Sequence, residues 1–158
     1  MPPACKSDCE SQIMSKPRSA ARLAAVQALY QMDMEKIGLA RLLDEFHLHR
    51  LGEDIEDAQI AHAEVSFFDD VVSGVNSRRE EIDGVIESKL GAQWKIGRLD
   101  KTMLQILRAG TYEILARADV PTGSVINEYM DVAHAFFDAK DAKFVNGLLD
   151  AVAKEKRG

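Results

Sequence analysis

Lys16, Arg18 and Arg22 fall within seven residues with no acid among them, and Lys140, Lys143 and Phe144 lie close together towards the other end of the chain. Side chains of these types bind polyanions: cations neutralise phosphates, and planar groups stack on unpaired bases. Arg18 and Arg22 are four apart, so on a helix they share one face. A helix N-terminus adds partial positive charge beside them. Spacing alone leaves the plainer alternative open, a solvated basic start to a helix. Phe144 is open in the same way, because it shares a stripe with Leu148 and Val152 and fits a core as well as a stacking surface.

Other chemistries lack their parts. No Gly-rich phosphate loop, GxGxxG or Walker pattern occurs, and there is no Gly-x-Ser-x-Gly elbow. His47 and His49 are two apart and point to different helix faces, while His62 and His134 are isolated. Cys5 and Cys9 have no second Cys or His pair at ligand spacing. The abundant carboxylates sit on polar faces, where pairs mean little without a burying pocket. The chain is therefore expected to be no enzyme and to use no metal or cofactor.

The net charge of −6 and the pI near 5.2 argue against coating duplex DNA or a membrane surface. The charge is uneven, however. Asp44 to Asp70 holds nine acids against Arg50 alone, whereas Lys140 to Arg157 holds five bases against Asp141, Asp150 and Glu155. A polyanion is expected to meet the ends of the chain on one side of the molecule and to avoid its middle. Apolar runs fall far short of the ~20 residues that cross a bilayer, and the N-terminus has no signal-peptide core, which points to the cytoplasm.

The elements that must carry these residues read as helices. Residues 1–17 are polar and aperiodic, and are expected to be a flexible arm ahead of one all-helical domain at 18–155. Leu23, Val26, Tyr30 and Met34 recur at helical steps, with Gly38 as the stop. Leu39, Leu42, Leu43 and Phe46 mark a second helix. Val65 to Val75 marks a third, and Ile82, Val85, Ile86 and Leu90 a fourth, with Asn76 or Ser77 as its cap. Trp94 sits in a connection. Asp100 is expected to cap a fifth helix, Ser124 a sixth, and a seventh is expected to begin near Asp141. No segment alternates with period two, so the expected fold class is all-α, of about seven helices.

Three segments resemble the NusB transcription-antitermination family. They are Arg18-Ser-Ala-Ala-Arg22-Leu-Ala-Ala-Val-Gln-Ala-Leu-Tyr30, then Ile106-Leu-Arg-Ala-Gly-Thr-Tyr112-Glu113-Ile-Leu with Val120-Pro121 and Ile126-Asn127-Glu128, and finally Lys143-Phe-Val-Asn-Gly147-Leu-Leu-Asp150. The resemblance implies two packed helical bundles and binding of single-stranded boxA RNA from ribosomal RNA leader transcripts. The partner it implies is NusE, a small-subunit ribosomal protein, with other Nus factors and RNA polymerase in the same assembly. It makes Lys16, Arg18, Arg22, Tyr30, Lys140, Lys143 and Phe144 the expected RNA-binding residues. This chain has Ser19, Ala20 and Ala21 where relatives often carry more arginine. Met103 and Gln105 are the candidate contacts to NusE. Asn146 and Gly147 are expected to serve structure, and close helix packing is the expected reason for Gly147 and Gly110. A helical adaptor that binds only proteins remains the alternative, and self-association into a homodimer stays open.

Overall fold

The computed structural model describes residues 3–49, 58–91 and 95–157. Alanine sets the first packing contact. Ala21, Ala25 and Ala28 are fully buried on α1 (Pro3–Glu35), and their small side chains let α1 lie close along α3 (Ala58–Ser77). The backbone of residues 3–17, read from sequence as an arm, is continuous with α1. The side chain of Lys16 lies outside the described residues, as does Trp94.

Helix α1 ends at Glu35, three residues before Gly38. Lys36 takes the left-handed conformation, φ 55°, and donates its N–H to the Met32 carbonyl at 2.9 Å. That is a C-terminal cap of the kind glycine usually provides. Helix α2 (Leu39–His49) buries Leu42 and Phe46, and Phe46 stacks on Phe68 of α3 at 5.3 Å between ring centroids. Helix α4 (Arg79–Lys89) follows almost without a break. Asn76 and Ser77 do not cap it: the Ser77 hydroxyl donates back to the carbonyls of Ser73 and Gly74, so it closes α3 instead. Glu80 and Glu81 supply negative charge at the first turn of α4.

A single 3-10 turn at Ile96–Arg98 leads to α5 (Lys101–Ala116), where Asp100 caps as expected by accepting from the N–H groups of Thr102 and Met103. Every residue from Met103 to Ile114 is buried, because α5 touches α1, α3, α4, α6 and α7. Helix α6 (Thr122–Phe136) starts directly after Pro121, whose fixed φ suits a helix entrance, and Ser124 is left exposed and does not cap it. Helix α7 (Ala139–Lys156) begins two residues before Asp141, with Asp138 accepting from the Asp141 N–H. Helices α1–α3 form one bundle and α4–α7 a second, and α5 joins them through α1 and α3. The fold is all-α, as expected. No helix among the described residues is long and apolar enough to cross a membrane.

Two glycines set helix spacing. Gly74 of α3 lies against the Tyr112 ring, in space a β-carbon would need, and a β-carbon on Gly110 would stand 3.0 Å from Leu149. Tyr112, so placed, donates its hydroxyl to Asp70 at 2.8 Å. Gly147 differs from the expectation: it is exposed, with nothing within 4 Å of where its β-carbon would be, so packing does not call for it. Arg157 completes the second bundle. Its guanidinium donates to the carbonyls of Glu113, Ile114, Arg117 and Val120 at 2.7–3.2 Å, and to the Thr122 hydroxyl. These carbonyls lie at the end of α5 and just beyond it, and the charge opposes the negative end of the helix dipole.

Candidate nucleic-acid interface

Helix α1 runs antiparallel to α5 and parallel to α6. Arg22 meets Glu113 and Glu128, while Tyr30 meets Thr102 and Phe136. Arg18 and Arg22, midway along α1, therefore lie towards one end of the α5–α6 pair, and Tyr30 at the other.

At the first end, Arg22 is only 3% exposed. Its Nε and Nη2 donate to the two carboxylate oxygens of Glu113 at 2.9 and 3.0 Å. Glu128 stands 3.7 Å away and also accepts from the Ser19 hydroxyl. Burial works against the charged guanidinium, but hydrogen bonding and charge from Glu113 outweigh it and raise the Arg22 pKa. The Tyr129 hydroxyl is buried beside this pair without a hydrogen bond of its own. Burial first, and the Glu113 charge second, push its pKa well above the ordinary value.

The guanidinium carbons of Arg18, Arg22 and Arg117 all lie 4.8–5.1 Å from the centroid of the Phe67 ring. Arg117 is held in turn by Asp70 and Asp119 at 3.0 and 3.1 Å. Arg22, expected as a phosphate ligand, is instead buried and paired with Glu113, with almost no surface to offer a strand. Arg18 keeps partial exposure on the outer side of Phe67.

At the second end the exposed aromatics gather. Tyr30 is 38% exposed and lines a cavity of about 190 Å³ with Gln27, Thr102 and Phe136. The next cavity, about 460 Å³, is lined by Leu99, Met103, Phe137, Lys140, Asp141 and Phe144, among others. Phe136 and Phe137, one residue apart with ring centroids separated by 6.4 Å, divide the two. Phe136 is 45% exposed and Phe144 36%, and Lys140 and Lys143 are exposed beside them. Tyr30, Lys140 and Phe144 are therefore brought to one end. Arg18 stands twelve residues before Tyr30 on α1, about 18 Å along the helix axis at 1.5 Å per residue. The two groups of cations mark opposite ends of a strip and do not converge on one point.

Phe136 belongs to this surface and is not among the RNA-binding residues expected from the sequence. The signal was the Phe136-Phe137 pair at a helix end beside Lys140: two adjacent positions are about 100° apart on a helix, so both seldom face one core.

The candidate partner contacts are corrected in part. Gln105 is 1% exposed and its amide donates to Asp33 at 3.1 Å. Asp33 also receives Arg79 and Arg108, and Arg108 makes a two-pronged pair with Asp83 at 2.8 and 2.9 Å. Gln105 is committed to that network and cannot present itself to a partner. Met103 is 7% exposed and forms part of the larger cavity's wall. Of the histidines, His47 pairs with Asp69 at 2.6 Å, and His134 is exposed. Among the described residues, no three His, Cys, Asp or Glu side chains are grouped to hold a metal ion.

Fold and surface together define a two-bundle all-α protein whose exposed aromatics are flanked by lysines. The model that describes the NusB family matches residues 19–154. The transcription antitermination protein NusB of Novosphingobium aromaticivorans is 65% identical over 147 residues, covering 93% of this chain and 99% of that protein. That of Sphingopyxis alaskensis is 59% identical, covering 90% and 96%. The solved structure of T. maritima NusB superposes with a TM-score of 0.73 at 28% identity, covering 89% of this chain and 93% of that one. A structure of the antitermination factors NusB and NusE in complex with dsRNA matches with a TM-score of 0.73 at 27% identity, covering 89% and 98%. The chain belongs to the NusB family of transcription antitermination proteins.

Proposed function

We propose that this protein binds single-stranded, boxA-type RNA of ribosomal RNA leader transcripts jointly with NusE, and acts without catalysis of its own alongside RNA polymerase and other Nus factors. The observation that carries the reading is the grouping of Tyr30, Phe136 and Phe144 with Lys140 and Lys143 at one end of the molecule. Exposed rings give stacking platforms for unpaired bases, worth about 1–3 kcal/mol each, and lysines beside them meet the phosphates. Arg18, held against Phe67 at the far end, is the expected last phosphate contact of a strand running along α1. The solved complex of NusB and NusE with dsRNA supports binding of RNA and of NusE. The acidic net charge of −6 suits a basic ribosomal protein, since opposite charge accelerates encounter.

The adaptor reading keeps one specific support, the burial of Arg22, which removes one of the expected cations. A titration of labelled boxA-like RNA with and without the organism's own NusE separates the two. The RNA reading expects binding that NusE tightens and salt weakens, with the salt slope falling by about one unit for each lysine removed. RNA affinity indistinguishable from that for an unrelated single strand, with NusE binding intact, would leave the adaptor.

A further inference from the structure

Helix α7 carries a glycine that folding does not require. Gly147 sits mid-helix on the solvent side, its φ is not left-handed, and no atom approaches within 4 Å of the place its β-carbon would take. A glycine there weakens the helix relative to alanine and returns nothing in packing. Its surroundings are specific. Lys143 lies four residues before it, Lys140 seven before and Lys154 seven after, spacings that put all three on the same face of the helix. All three lysines are exposed, and Asn146 beside Gly147 is exposed as well. The opposite face, Ala142, Val145, Leu148, Leu149 and Val152, is buried. The acids nearby are largely committed: Asp150 pairs with Lys154 at 3.0 Å, Glu155 with Lys89 at 3.2 Å, and Asp138 caps the helix. Asp141 faces the large cavity.

We propose that Gly147 is a contact site at which the sugar-phosphate backbone of the bound RNA strand lies directly on the backbone of α7, continuing along the lysine stripe from Phe144. Absence of a side chain permits this close approach, and Lys140 and Lys143, on the same face towards the N-terminal end of the helix, neutralise the phosphates that lead up to it. The inference rests on the RNA-binding reading and extends it to a surface facing away from α1. Gly84 of α4 is equally open, but its helix neighbours are Glu80, Glu81 and Glu87, which repel phosphate. The glycine matters where it coincides with cations and an exposed ring.

The test compares the full-length wild type with Gly147→Ala and Gly84→Ala in thermal melts and in titrations of boxA-like RNA with NusE present. Both alanine variants are expected to melt higher, by about 2–4 °C. Gly147→Ala alone is expected to lose RNA affinity, about tenfold for one displaced contact of 1.4 kcal/mol, so that the more stable protein is the weaker binder. Unchanged RNA affinity in Gly147→Ala overturns the inference, as does an equal loss in both variants or a lowered melting temperature for Gly147→Ala. Failure of the wild type to bind RNA overturns the underlying reading as well, which keeps the two distinguishable.

Discussion

Arg22 and Glu113 form a two-pronged pair at 2.9 and 3.0 Å in which the carboxylate is fully buried and the guanidinium nearly so. The pair ties α1 to α5, and so joins the two bundles. Removing one partner leaves a buried charge uncompensated. Arg22→Ala is expected to destabilise the protein by about 3–5 kcal/mol, whereas Arg22→Met combined with Glu113→Leu is expected to be much nearer neutral. Urea denaturation of the two single variants and the double variant measures this directly. A single variant as stable as wild type would remove the pair from any structural role.

The exposed rings give the opposite profile. Tyr30→Ala, Phe136→Ala and Phe144→Ala each remove a partly solvated side chain, so folding should change little. Each is expected to weaken RNA binding by about 1–3 kcal/mol. Binding to NusE serves as the control in the same titrations. Phe136→Ala is the most informative of the three, because only the tertiary arrangement brings that residue to the surface.

Tyr112 makes stability depend on pH at the alkaline end. Burial, followed by its hydrogen bond to Asp70 and the charge of Asp70, raises its pKa from 10.0 to about 12. A group with a raised pKa stabilises the fold fully below its unfolded value, and that contribution is lost as pH rises through the folded value. The stabilisation from Tyr112 is therefore present below pH 10 and disappears between 10 and about 12. Tyrosinate absorbance should show the corresponding late ionisation, and Tyr112→Phe should remove it while costing about 1 kcal/mol at neutral pH.

Two helix ends lend themselves to single substitutions of opposite sign. Lys36 holds a left-handed φ of 55°, which strains any residue with a β-carbon. Lys36→Gly is expected to stabilise the protein by about 1 kcal/mol.

Arg157 donates to four carbonyls around the end of α5, and Arg157→Ala is expected to cost about 2 kcal/mol. Arg157→Lys should recover only part of that, because an ammonium cannot span the same set of acceptors. Thermal or urea unfolding of the three proteins tests both ends.

The helices were legible in the chain because their signals are local. Leucine and valine periodicity located α2, α3 and α4, and Asp100 announced the start of α5 through its own side chain. Caps that depend on neighbours were less visible. Ser77 and Ser124 have the chemistry of a cap, yet Ser77 closes the helix before it, and the entrance after Pro121 leaves Ser124 one turn inside α6. Gly110 was correctly linked to helix packing and Gly147 was not, since a glycine in a helical stripe reads the same whether it faces Leu149 or water.

By itself the order of residues determined the class of fold, through helical spacing along the chain, and the family, through the resemblance of three segments. Only the three-dimensional arrangement decided which cations are available. Arg18 and Arg22 share a helix face in sequence, but Glu113, ninety-one positions away, takes Arg22 into the interior and leaves Arg18 at the rim of Phe67. Arg157 looked like one more basic residue of a cationic tail, and carbonyls from a different helix fill its donors. Whether a charge meets solvent depends on partners distant in the chain, and no local pattern records them.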